Sequence, residues 1–188
     1  MSLEVKRHSF HIIGGTALAL LYYFDLMAKA HFEALLIVSI ILAVIYKRYK
    51  IPIIHQAMLA MERKQNLQNF PGIGVVFFLL SSTIAIWIYP KNIAVAAIMI
   101  LSWADGIAGL IGRHGKVPYF NPKKTWEGII LAIIAGTIVA QFFVPLLSAL
   151  LASTISMFIE GLDLKIGKWK IDDNLFIPIL AGAVMMLG

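Results

Sequence analysis

No cysteine occurs anywhere in the 188 residues, which excludes a disulfide framework and any zinc site built on thiolates. Charge is scarce as well. Only 14% of the residues are Asp, Glu, Lys or Arg, and ten are acidic, so each carboxylate inside an apolar stretch needs a reason to be there. There is no internal repeat, no low-complexity tract and no composition break at which a second domain could begin, so residues 1–188 are expected to form one integral-membrane domain. What is abundant is apolar residues, at 60% of the chain, with a mean hydropathy of +0.86, more than a soluble core of this size uses. The sequence therefore predicts an all-α, polytopic transmembrane bundle. The net charge of +6 is read as topology and attraction to anionic headgroups rather than as nucleic-acid binding.

Apolar runs between charged or Pro/Gly punctuation place about seven spans, near 8–24, 32–46, 73–89, 93–111, 128–144, 146–160 and 175–187. No small-residue cleavage site follows Gly14-Gly15, so the first run is expected to be a retained span rather than a signal peptide. The pair meeting at Pro145 could also be one broken helix. With the amino terminus inside and the spans alternating, every Lys and Arg except Lys29 and Lys91 falls on the cytoplasmic side, which supports an N-in, C-out order. Segment 51–70 is too polar to span. Ile54, Ala57, Met58 and Met61 recur at helical spacing, which predicts a short helix on the cytoplasmic interface.

The unusual polar residues gather on that same side. Glu4, Arg7 and His11 share a helix face, either as an anchoring ion pair or as the edge of a site. Asp105 lies within an apolar span among small residues. Close helix packing explains Gly106 and Gly109 but not a carboxylate, which could hold Mg2+ or pair with Arg7 or Arg113. Beyond it, Gly109, Gly112 and Gly115 surround Arg113 and Lys116, and Lys123-Lys124-Thr125 leads into Trp126-Glu127-Gly128. Glycines let backbone N–H groups reach an anion, and Arg and Lys neutralise phosphate oxygens. Thr125 is a natural N-cap that would aim the next helix at that anion. Glu160, Asp163 and Asp172-Asp173-Asn174 add carboxylates for a metal or a proton, although an Asp or Asn there is also an ordinary cap.

Two phosphate motifs are excluded. Gly115-Lys116 lacks the Walker glycine at Leu110 and the Ser/Thr at Val117. Asp105-Gly106-Ile107-Ala108 begins like the CDP-alcohol phosphotransferase motif but departs from it at Gly109, and the later paired aspartates of that motif are missing.

Glu4-x-x-Arg7-x-x-x-His11, Asp105-Gly106-Ile107-Ala108 with Gly112-Arg113 and Gly115-Lys116, Lys124-Thr125-Trp126-Glu127-Gly128, and Asp173-Asn174-Leu175 with Pro178 together resemble the dolichol kinase, phytol kinase and CTP-dependent diacylglycerol kinase family. The resemblance runs over nearly the whole chain. It implies transfer of the γ-phosphoryl group of CTP to the hydroxyl of a membrane lipid, such as a polyprenol, phytol or diacylglycerol, with a divalent cation. In that reading Asp105, with Asp173 or Glu160, holds Mg2+; Arg113, Lys123 and Lys124 neutralise the transferring group; Arg7, Gly112, Lys116, Thr125 and Asn174 contribute to the nucleotide site; and His11 or Glu127 handles the hydroxyl proton. The Pro122–Gly128 exit is also similar to phosphatidate cytidylyltransferases, whose further Lys-Arg-x-x-Lys-Asp and Gly-Gly-x-x-Asp-Arg-x-Asp stretches are absent. From another class, a small transporter would use Asp105 and His11 to line a pathway, but the polar groups lie at one membrane face rather than at the midplane.

Overall fold

A computed structural model describes residues 3–49, 70–122, 124–162, 165–166, 169–170 and 172–188. The interfacial helix expected at 51–70 falls almost wholly outside them, as do Lys123 and Asp163. Each apolar run of the sequence is a helix: α1 (Leu3–Tyr23), α2 (Lys29–Arg48), α3 (Ile73–Ile88), α4 (Lys91–Ile111), α5 (Trp126–Ala140), α6 (Leu146–Gly161) and α7 (Asp173–Met185). A two-residue antiparallel pair, β1 (Lys165–Ile166) with β2 (Trp169–Lys170), is the sole sheet among the described residues. The alternative of one broken helix across Pro145 does not hold. α5 ends at Ala140, Pro145 precedes α6, and the two helices pack against each other. Helices α2 and α4 are each long and apolar enough to cross a membrane, while α3, α5, α6 and α7 are shorter apolar helices.

Helix α4 is the axis of the bundle. Ala94 to Leu101 are buried without interruption, as expected of a helix that is apolar all round and packed on all sides. α1, α3, α5 and α7 pack around it, α6 closes on α5 and α7, and α2 lies outside against α3. The axis is not regular throughout. Leu101–Asp105 forms a single π turn between α-helical segments, held where the Trp103 indole N–H donates to Thr16 Oγ1 of α1 at 2.9 Å. Such a bulge changes the direction in which following side chains leave the helix and recurs at functional sites. Asp105 is its last residue.

Helix ends follow local chemistry. Gly72, at φ 74°, takes a left-handed conformation open to glycine and begins α3. Thr125 caps α5 by accepting from the Gly128 N–H, and Asp172 caps α7 by accepting from the Asn174 N–H at 3.0 Å. The loop between α4 and α5 folds back as a narrow hairpin. The Tyr119 N–H donates to the Lys124 carbonyl and the Trp126 N–H to the Val117 carbonyl, at 2.9 and 3.0 Å. Tyr119, Trp126 and Phe158 pack edge to face behind it and tie it to α6.

Candidate active site

One end of the bundle collects the start of α1, the end of α4, the start of α5, the end of α6 and the start of α7. There, carboxylate oxygens of Asp105, Glu160 and Asp173 lie within 4.8 Å of one another. These side chains come from α4, α6 and α7, so the cluster exists only when the three helices dock. Glu160 is almost fully buried, with a side chain 1% exposed, and its carboxylate accepts a hydrogen bond from the Lys124 ammonium. Burial opposes the charge of Lys124, but Glu160, and behind it Asp105, outweigh that and hold the ammonium above the ordinary lysine range. Burying a carboxylate is costly, and the Lys124 ammonium offsets part of that cost for Glu160.

His11 of α1 faces the same cluster, its Nε2 3.8 Å from Asp105 Oδ2. Of the two arginines weighed as alternatives to a metal at Asp105, Arg7 pairs with Glu4 at 2.8 Å one turn nearer the amino terminus, and the Arg113 side chain is not among the described ones. Sequence reasoning missed His8. It is 6% exposed, lies 3.5 Å from Glu4, and its ring fills the space left by Gly109, where any side chain would strike it. Its signal was available, since position 8 falls between Glu4 and His11 on their shared face.

The glycine-rich exit holds itself together. Thr125 Oγ1 donates to the Gly112 carbonyl at 2.8 Å, and Gly112 meets Gly128 backbone to backbone, so closely that a Cβ on Gly128 would stand 2.6 Å from the Gly112 Cα. Glu127 points into the hairpin. One of its oxygens accepts from the Lys116 N–H at 2.9 Å and the Val117 N–H at 3.1 Å. Those amides draw its carboxyl below the usual range. Two backbone donors that follow Gly115 are therefore engaged by a carboxylate of the chain itself. The Lys116 side chain is exposed, Arg113 lies in the short 3-10 turn Gly112–His114 with its side chain outside the description, and Lys123 is not among the described residues. Asn174 lies against Gly74 of α3, and its side-chain oxygen is buried without a hydrogen-bond partner among the described residues.

Three hard oxygen donors from three helices suit a small divalent cation, whose opposite ligands stand about 4.2 Å apart. The donor set thus fits Mg2+ or Mn2+ better than a softer metal. Among the described residues, the Lys124 ammonium and the His11 imidazole lie beside these carboxylates, and a divalent cation would offset their mutual repulsion.

Comparison with known proteins extends this beyond geometry. Residues 3–186 match the profile of the family described as "Cytidylyltransferase family". An uncharacterized protein of Methanocaldococcus jannaschii is 29% identical across 97% of this chain and 92% of its own length. CTP-dependent diacylglycerol kinase 1 of Schizosaccharomyces pombe is 28% identical over 69% of this chain and 64% of its own. Phytol kinase of Synechocystis is 29% identical over 50% of this chain and 44% of its own. The chain therefore spans less than two thirds of the length of either kinase. No solved structure matches it.

Proposed function

The chain belongs to the cytidylyltransferase family, and from that premise we propose that it is a CTP-dependent lipid kinase, moving the γ-phosphoryl group of CTP to the hydroxyl of a membrane lipid alcohol. The observation that carries this reading is the meeting of Asp105, Glu160 and Asp173 with Lys124 at one end of the bundle. The names of the two kinases to which the chain is similar supply the donor and the acceptor class.

In this reading the lipid oxygen attacks the γ-phosphorus in line as the bond to the β-γ bridging oxygen breaks, and CDP departs. Asp105, Glu160 and Asp173 would hold Mg2+, which when bound supplies charge neutralisation on the phosphate oxygens. Lys124 adds a positive charge beside the transferring group. His11 receives the hydroxyl proton; Glu127, tied to the Lys116 and Val117 amides, instead keeps the hairpin in shape. Arg113, Lys116 and Lys123 are the remaining cations for the nucleotide. Most of the acceleration comes from fixed electrostatics, because a loose phosphoryl transition state asks little covalent chemistry of the protein.

The same reading sets the bundle in a bilayer with multiple spans and its site at the cytoplasmic face. Outward apolar side chains support this, among them Ile37 at 57%, Val44 at 58% and Leu147 at 66% exposure, as does the skewed distribution of Lys and Arg. The family's description favours a second reading, in which CTP gives its cytidylyl group to a phosphatidate.

A transfer assay separates them. The detergent-purified protein is incubated with Mg2+, lipid alcohols or phosphatidates, and CTP labelled at the α or the γ phosphate. Label entering lipid from the γ position alone establishes the kinase and identifies its acceptor. Label from the α position establishes a CDP-lipid synthase, and no transfer from either returns transport to consideration.

A further inference from the structure

Lys124 has a fixed backbone and a mobile side chain. Its carbonyl accepts from the Tyr119 N–H and its N–H donates to the Asn121 carbonyl, both at 2.9 Å, and the next residue is the cap of α5. Only the four-methylene stem can move. Its ammonium rests on Glu160, whose side chain is 1% exposed, while the Lys124 side chain itself is 23% exposed and has a route outward. Glu160 lies within 4.8 Å of Asp105 and Asp173, so the ammonium sits at the edge of the position that a divalent cation would take and draws on the same oxygen atoms. Two cations on one carboxylate repel each other. A lysine can resolve that by leaving, since it is a point charge without the planar two-pronged grip of arginine.

We propose that Lys124 is a displaceable counter-ion: its ammonium neutralises Glu160 in the nucleotide-free protein and moves to the phosphate oxygens when a cation–nucleotide complex enters. The ammonium thereby offsets the charge of Glu160 in the free protein, and gives it up only when another partner for the ammonium arrives. A divalent cation by itself must compete with Lys124 and binds weakly. The nucleotide removes that competition, which couples the two ligands in both directions. This inference rests on the reading of the cluster as a metal–nucleotide site and adds to it a second task for Lys124.

The test measures Mn2+ binding by the paramagnetic resonance of the free ion, on full-length protein in detergent, without and with CTP. Lys124→Gln is expected to bind Mn2+ alone about tenfold more tightly than the unaltered protein, because the competing charge is gone, and to bind CTP more weakly. Lys124→Arg, with a firmer hold on Glu160, is expected to bind Mn2+ alone no better than the unaltered protein. Glu160→Gln is expected to lose Mn2+ affinity whether or not Lys124 is present. Melting temperature monitors folding, and Lys124→Met replaces the glutamine variant if that one does not fold. Unchanged or weaker Mn2+ affinity in the folded Lys124 variant overturns the proposal. If Mn2+ binds and γ-label still reaches lipid, the kinase reading survives that result. If neither protein binds Mn2+ at millimolar concentration, the proposal and the metal site fall together.

Discussion

Ser81 of α3 donates its hydroxyl to the carbonyl of Asn174 in α7 at 2.6 Å, and Asn174 is the residue whose helical partner is missing because Pro178 has no N–H to offer it. A side chain 93 residues away thus repairs the defect that the proline makes. The repair steadies the turn that carries Asp173. Ser81→Ala is expected to cost about 1–2 kcal/mol, the penalty for an unsatisfied buried carbonyl. In a Pro178→Ala background, where the helix can supply its own donor, the same change should cost little. Unfolding of the four proteins of this double-mutant cycle checks it; equal costs in both backgrounds would mean that Ser81 acts through packing alone.

Asp105 is the meeting point of His11, Glu160 and Asp173. Asp105→Asn keeps the shape and removes the charge, so turnover should fall by a factor of at least about a hundred while the bundle stays folded. The γ-label assay together with a melting curve tests this. A folded variant with near-normal transfer would remove Asp105 from the mechanism.

The places of the helices were legible because apolar runs and polar punctuation alternate cleanly. Their ends were less so. The fifth span was expected over 128–144, whereas α5 runs Trp126–Ala140: Thr125 caps it early, and residues 141–145 turn before Pro145. The site was legible as a set of residues but not as a set of partners. The expected alternation of spans puts Asp105, Glu160 and Asp173 on one face, and the three do meet at one end of the bundle, yet nothing in local spacing joins Lys124 to a carboxylate 36 residues later. Nor does any local signal announce the π turn at Leu101–Asp105, within which Trp103 donates to Thr16 of α1. Tertiary packing decided what periodicity could not.

The contact between Gly112 and Gly128 predicts an asymmetry between two substitutions of the same kind. A Cβ at Gly128 would meet the Gly112 backbone at 2.6 Å, with no flexible side chain to yield. A Cβ at Gly112 would meet Gly128 at 3.8 Å, an ordinary contact. Gly128→Ala should therefore force the 3-10 turn away from α5, at a cost of about 1–3 kcal/mol, and lower transfer by displacing Lys124. Gly112→Ala should be nearly neutral in stability. Comparable melting temperatures for the two variants would contradict the close approach.

Glu127 sets a pH limit on the hairpin. Its carboxylate is held below the usual range, first by the Lys116 amide, and it also accepts from the Val117 amide. A group whose folded pKa is depressed contributes its stabilisation above the unfolded value, about 4.3 for glutamate, and loses it as pH falls through the lower folded value. The clasp should therefore be complete at neutral pH and open in the acid range below about 4. Hydrogen exchange at the Lys116 and Val117 amides, corrected for the intrinsic pH dependence, should show protection that disappears over that window. Glu127→Gln should lack the transition and exchange faster at neutral pH, since a neutral amide oxygen accepts less strongly than a carboxylate. If protection in the unaltered protein stays constant down to pH 3, the hairpin is held by Tyr119 and its backbone pairing rather than by Glu127. Glu127→Gln should then transfer phosphate as well as the unaltered protein does.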